Sequence, residues 1–254
     1  MSGSSGNWLN RLFRKGSQPE PRHDPPQAEG LDTKGWTSKG GGLDSLGRHE
    51  EAIVCYDQAL EIDPRDADAW YHKGSSLDSL SRHKEAIHCF DQALEIDPRY
   101  IAAWNNKGDN LNSLGRYTEA ICCYDRALVL DPRYVSAWSN KGNSLQWLGS
   151  HEEAICCYDR ALEIDPRDVG AWTTKGSSLG SLGRYEEVIL CCDQALEFDP
   201  RYAGAWYLKG LAEDTLGQGW EAMRSYRQFL AFATALYTTQ IEHVRQRLRE
   251  LGGK

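Results

Sequence analysis

A tryptophan returns every 34 residues along this chain, at Trp36, Trp70, Trp104, Trp138, Trp172 and Trp206. Lys-Gly pairs keep the same interval, beginning at Lys39, Lys73, Lys107, Lys141, Lys175 and Lys209, and Pro64, Pro98, Pro132, Pro166 and Pro200 close five of the copies. Self-similarity at such a period marks an array of stacked supersecondary units, each of which buries its apolar face only against its neighbours. Six units follow: 33–66, 67–100, 101–134, 135–168, 169–202 and 203–236. Residues 1–32 precede the array and 237–254 follow it.

The unit Ile101–Tyr134 shows how the residues write the fold. Trp104, Gly108, Leu111 and Leu114 recur at the spacing of one helical face. Gly115 supplies the left-handed residue that ends this first helix. Ala120, Tyr124 and Ala127 line a second helix, flanked by Ile121 and Leu128, with Glu119 near its positive end. Pro132 stops it and pushes Asp131 out of the α region. A glycine inside a helix costs about 1 kcal/mol relative to alanine. Gly108 is therefore expected at a close helix–helix approach, facing Ala120 and Ala127 with Trp104 and Tyr124 around it.

These residues resemble the tetratricopeptide repeat, whose marks Trp104, Gly108, Ala120, Tyr124, Ala127 and Pro132 match in type and spacing. Lys107 and Leu111 depart from it, standing where Leu and Tyr are usual, and Val188 and Cys192 make the fifth copy irregular. The resemblance covers about four-fifths of the chain. It implies an all-α, right-handed superhelical solenoid of antiparallel helix pairs, six repeats long, with the first helix of each pair lining a concave groove.

The ends differ from the middle. Gly40, Gly41 and Gly42 weaken the first helix, which is expected to fray. The sixth copy lacks the proline and carries Phe229 in place of alanine. Beyond it, Thr239-x-x-Glu242 reads as a capping box, and Ile241, Val244, Leu248 and Leu251 as the apolar stripe of a capping helix ended by Gly252 and Gly253. In the tail, Met1–Gly6 is linker-like. Asn7–Lys15 is a short amphipathic stretch, with Trp8, Leu9, Leu12 and Phe13 beside Arg11, Arg14 and Lys15. Prolines 19, 21, 25 and 26 mark a linker up to Asp32.

Composition narrows the functions. A net charge of −8 argues against a nucleic-acid partner, which demands a basic surface. No apolar run is long enough for a membrane span, and no secretory leader is recognised, so a cytoplasmic protein is expected. Cys55, Cys89, Cys122, Cys123, Cys156, Cys157, Cys191 and Cys192 sit mid-helix in successive copies rather than in metal-binding pairs, and read as reduced packing residues. His49, His83 and His151 share their turn position with Tyr117 and Tyr185, which also speaks for packing and against a metal. Arg65, Arg99, Arg133, Arg167 and Arg201 each lie two residues from an Asp and read as solvated pairs.

What varies between copies is the polar face of the first helix. On the central unit it is Asn105, Asp109 and Asn112; before it come Tyr71, Ser75 and Asp78; after it, Ser139, Asn143 and Gln146, then Thr173, Ser177 and Gly180. Asn106, Asn140 and Thr174 form a second row, and Trp147 replaces the serine of neighbouring copies as a candidate aromatic anchor. Amides and hydroxyls of this kind suit the backbone of an extended peptide. Chaperone-binding members of the family hold a C-terminal carboxylate with Lys, Asn and Arg; Ser139 and Thr174 stand where that clamp needs its cations. The Asn106/Asn140 pair is similar to the asparagine row of a protein-glycosylating transferase, through two copies only. The expectation is a non-enzymatic scaffold that binds a peptide segment, without cofactor. The alternative is a peripheral membrane adaptor held by residues 8–15, and self-association through the array ends stays open.

Overall fold

The computed structural model describes residues 30–252, and within them the chain is helical without strands. Six helix pairs follow one another: α1 (Thr33–Ser45) with α2 (His49–Ile62), α3 (Ala67–Ser79) with α4 (His83–Ile96), and α5 (Ile101–Ser113) with α6 (Tyr117–Leu130). They continue with α7 (Val135–Trp147) and α8 (His151–Ile164), α9 (Val169–Ser181) and α10 (Tyr185–Phe198), and α11 (Ala203–Thr215) and α12 (Gly219–Phe232). A 3-10 turn (Ala235–Tyr237) leads into α13 (Thr238–Gly252). Each helix packs on its sequence neighbours, which makes the array an all-α solenoid. The amphipathic stretch 7–15 lies outside the described residues.

The expected punctuation is present. Gly47, Gly115, Gly149, Gly183 and Gly217 take φ of 72–79° between the helices of a pair. Ser81 holds the same place in the second pair at φ 58°, a left-handed conformation that disfavours a side chain. Before each proline, Asp63, Asp97, Asp131, Asp165 and Asp199 are extended, with φ between −125° and −136°. Each of these carboxylates accepts the backbone N–H of the following arginine at 2.9–3.0 Å. The Asp therefore closes a turn instead of neutralising the guanidinium, which corrects the pairing expected for that Arg row.

Tryptophan and proline recur together for a physical reason. The indole N–H of Trp70, Trp104, Trp138, Trp172 and Trp206 donates to the carbonyl of Pro64, Pro98, Pro132, Pro166 and Pro200 at 2.9–3.1 Å. The ring is thereby fixed across the joint between one repeat and the next. Lysine at the supposedly deviant position does similar work. Lys73, Lys107, Lys141 and Lys175 reach back to Asp57, Asp91, Asp125 and Asp159 at 2.5–2.6 Å, and Lys209 pairs likewise with Asp193. The same ammonium groups lie 5.3–5.8 Å from the tryptophan ring one turn earlier.

In five of the six pairs the glycine inside the first helix faces an aromatic ring, not the facing alanines as the spacing suggested. A Cβ added at Gly40, Gly74, Gly108, Gly142 or Gly210 would lie 2.5–2.8 Å from the ring of Tyr56, Phe90, Tyr124, Tyr158 or Tyr226. These rings are fully buried, as are Ala52, Ala86, Ala120, Ala154 and Ala222 beside them. Val188 and Cys192 occupy the equivalent places in the fifth pair and are buried there too. Six of the cysteines are buried, free thiols; Cys122 and Cys156 are free but exposed, so only six pack as expected. Burial pushes the Cys89, Cys123, Cys157 and Cys191 thiols up to about 11.

At the ends, α1 is helical throughout despite its three glycines, and Gly41 and Gly42 face open space. At the other end, Val244 is buried, and Ile241, Leu248 and Leu251 pack with it over Ala222, Tyr226 and Phe229. Phe229 fits because α13 packs on it, and its ring meets Tyr207 and Tyr237. Arg247 clamps Asp214 through two hydrogen bonds of 2.6 and 2.8 Å. The capping box does not form. The helix begins one residue earlier, at Thr238, whose hydroxyl donates to the Ala235 carbonyl, so Thr239 is already inside it.

Candidate functional site

First helices touch first helices along the whole array, from α1 and α3 through to α9 and α11. Elements that meet along one side of a stack lie on its inner curve, so these helices line the concave face. The polar rows read from the sequence fall on it, and neighbouring helices are tied together there. Asn106 Nδ2 donates to the Tyr71 hydroxyl at 3.2 Å, Asn140 Nδ2 to Asn105 Oδ1 at 3.3 Å, and Gln146 Nε2 to Ser177 Oγ at 3.1 Å.

Asp109 is the centre of this strip. Its carboxylate accepts from the Tyr124 hydroxyl at 2.8 Å, from Asn140 Nδ2 at 2.7 Å and from Asn105 Nδ2 at 3.1 Å. Burial nevertheless dominates and raises its pKa to about 6, with the Asp78 charge adding to the rise and the Tyr124 and Asn105 hydrogen bonds opposing it. Asn105, expected on an open face, is 4% exposed: its amide is a buried strut that holds Asp109.

The buried tyrosines reach the same face from behind. The whole residues are buried, and their hydroxyls meet the polar side chains of the first helices from beneath. Tyr56 donates to Asp44 at 2.8 Å, and Tyr158 to Asn143 at 2.8 Å and Gln146 at 3.1 Å. Tyr226 donates to Asp214 at 3.3 Å. Asn112 donates to the Tyr124 oxygen at 3.3 Å and accepts from Ser144 at 2.8 Å. The polar rows thus satisfy core hydroxyls as well as facing the groove.

Remaining positions divide by exposure. Ser75 and Thr173 donate to the carbonyls one turn back, at Tyr71 and Val169. Their oxygens retain lone pairs for a further donor. The Ser139 hydroxyl is buried without a partner. Asp78 lies 3.4 Å from the His83 ring nitrogen, whose nearer partner is Asn110 Oδ1 at 2.9 Å. Asn110 is fully buried, and His49 similarly meets Asp44 at 2.9 Å. These histidines make polar links between helices, a role that the Tyr at the same position in other copies had hidden. Trp147 is 73% exposed and stacks its ring on Tyr117 with centroids 6.0 Å apart.

Among the described residues no cluster of His, Cys, Asp and Glu is arranged to hold a metal ion. No helix among them is long and apolar enough to cross a membrane.

Comparison with known proteins returns the repeat itself. Models of the TPR or tetratricopeptide repeat match residues 45–78 and 108–149, residues 67–100 and 135–168, and residues 169–202, together more than half of the chain. No curated protein matches the chain. Among solved structures, the chain is similar to PilW, described as a widely conserved type IV pilus biogenesis factor. They share 22% identity, TM-score 0.74, over 84% of this chain and 97% of that one. It is similar to PilF of Pseudomonas aeruginosa at 21% identity and TM-score 0.71, over 87% and 96% of the two chains. YrrB, described as a TPR protein with an unusual peptide-binding site, shares 25% identity at TM-score 0.61, over 70% of this chain and 92% of that one. Repeated helix pairs of 34 residues, packed through the signature Trp, Gly, Ala, Tyr and Pro, agree with these matches: the chain belongs to the tetratricopeptide repeat family.

Proposed function

We propose that the chain is a non-enzymatic scaffold that binds a peptide segment along its concave face. The observation that carries this reading is the unbroken polar strip across α3, α5, α7 and α9, joined by Asn106–Tyr71, Asn140–Asn105 and Gln146–Ser177. A strip of amides and hydroxyls fixed by its own hydrogen bonds offers pre-ordered donors and acceptors to an extended backbone. Tyr71, Ser75, Asp78, Asn106, Asp109, Asn112, Asn140, Asn143, Gln146, Thr173 and Ser177 form the contact surface, Asn105 and Ser139 support it from beneath, and Trp147 is the anchor. The likeness to YrrB favours a peptide ligand. The reading places the scaffold in the cytoplasm.

Peptides selected from a displayed random library on the full chain provide the test. Trp147→Ala and Gln146→Ala are expected to weaken the selected peptides at least about tenfold, the scale of one lost anchor. Unchanged affinity for all of them in both variants overturns the groove assignment.

A further inference from the structure

We propose that the N-terminal end of the concave face is filled by the chain's own residues 7–15, acting as an intramolecular ligand. The proposal rests on the groove-binding reading and specifies its chemistry: this end of the groove takes a short basic segment with aromatic side chains.

A hollow of about 750 Å³ lies between α1, α3 and the turns that follow α2 and α4. Asp63, Asp66, Asp68 and Asp97 line it, against Lys34 and Arg65, so carboxylates outnumber fixed cations. Tyr100 lines it as well, with Tyr71 stacked on that ring at 4.7 Å. The Tyr100 hydroxyl donates to Asp68, which brings a carboxylate to the edge of the aromatic pair. Aromatic faces beside carboxylates attract ammonium and guanidinium groups. Further along, the groove rows add Asp78 and Asp109 and contain no Lys or Arg.

The matching charge lies in the same chain. Asn7–Lys15 carries Arg11, Arg14 and Lys15, has no acidic residue, and adds Trp8, Leu9, Leu12 and Phe13. Residues 16–29 join it to Gly30, the first described residue, a tether of 14 residues. Fourteen residues reach at most about 45–50 Å. The hollow begins at Lys34 and Thr37, within two turns of the start of α1, so roughly 10 Å suffices. A segment tethered this closely acts at an effective concentration on the millimolar scale and competes with any peptide in solution.

The test uses a fluorescein-labelled peptide of residues 7–15 and full-length proteins, read by fluorescence anisotropy at low and at physiological salt. The first is unaltered, the second carries Arg11→Glu, Arg14→Glu and Lys15→Glu, and the third adds Asp68→Lys to those three. The second protein is expected to bind the peptide at least tenfold more tightly than the first. Asp68→Lys is expected to reverse that gain, and the milder Asp68→Asn to reverse part of it with an unchanged circular dichroism spectrum. Equal affinity for the first two proteins, or no effect of either Asp68 substitution, overturns the proposal. Dimers of the first protein by light scattering, absent from the second, would make a second copy the occupant and overturn the intramolecular form. Loss of library-selected peptides on Trp147→Ala, with no binding of the 7–15 peptide, would reject this inference and leave the groove reading standing.

Discussion

Alanine at Gly108 and alanine at Gly176 are the same substitution at equivalent places in two repeats, yet only the first is predicted to destabilise the chain. Both remove a glycine from a helix interior, which favours the folded chain by about 1 kcal/mol. At Gly108 the new Cβ would lie 2.5 Å from Tyr124 Cε1. Carbon atoms rest about 3.5–4.0 Å apart, so the ring must retreat by about 1 Å. Tyr124 is fully buried and its hydroxyl is held by Asp109 at 2.8 Å, so retreat strains the core and stretches that bond. Overpacking of this kind costs about 1–3 kcal/mol, and the hydrogen bond adds about 1. At Gly176 the aromatic is replaced by Cys192, and the nearest atom is Leu208 Cδ2 at 3.1 Å, the end of a partly buried side chain that yields by a few tenths of an ångström. Gly108→Ala should therefore lower stability by about 1–3 kcal/mol, and Gly176→Ala should leave it unchanged or raise it by up to about 1. The propensity gain cancels in the difference between the two variants. Equilibrium urea unfolding of the full chain, with amide exchange of α5–α6 and α9–α10, measures it, because repeat arrays open locally. Equal shifts for the two variants would refute the argument that the ring, not the helix backbone, selects glycine.

Two further predictions are independent of that pair. Ser81→Gly relieves a left-handed serine at φ 58° and should stabilise the second repeat by about 0.5–1 kcal/mol, strain of about 1–2 kcal/mol being partly offset by the freer unfolded chain; slower amide exchange at the α3–α4 turn would show it. Asp109 has a folded pKa of about 6 against an ordinary 3.8, so the folded chain holds this proton more tightly than the unfolded chain does. Its contribution to stability is fully present below pH 4 and is lost as pH rises through 6; the stability of the unaltered chain minus that of Asp109→Asn should fall over that window, by up to about 3 kcal/mol. A flat difference in paired urea titrations from pH 4 to 7 would contradict the burial of that carboxylate.

The architecture was readable because its determinants are local and repeated. Gly115 and Pro132 each act on their own backbone, and five further copies of the signal remove ambiguity. The Lys–Asp pairs leave a trace as well: Lys107 and Asp91 both recur at the same period, but they lie on different helices, and against the family pattern Lys107 alone stands out as a deviation. What the periodicity did not carry was the direction of the tyrosine hydroxyls. Spacing puts Tyr124 in the core and Asp109 on the groove, but only the packed structure brings the phenol through to that carboxylate. For the same reason Asn105 looked like a ligand contact when it is a strut, and Trp147 was recognisable as unusual without its stack on Tyr117.

The phenols that bond to the groove floor from beneath divide the repeats into those whose polar face is constrained by the core and those whose face is free to drift. Where Tyr56, Tyr124, Tyr158 or Tyr226 bonds to that face, a change of the bonded residue also strands a core hydroxyl, so on the proposed function selection for a new partner is opposed by selection for folding. Phe90 and Cys192 have no phenol to strand. Ser75 and Asp78 in the second repeat, and Ser177 and Gly180 in the fifth, are therefore the places where a descendant of this chain, or a designer, can rewrite specificity with the least disturbance of the core.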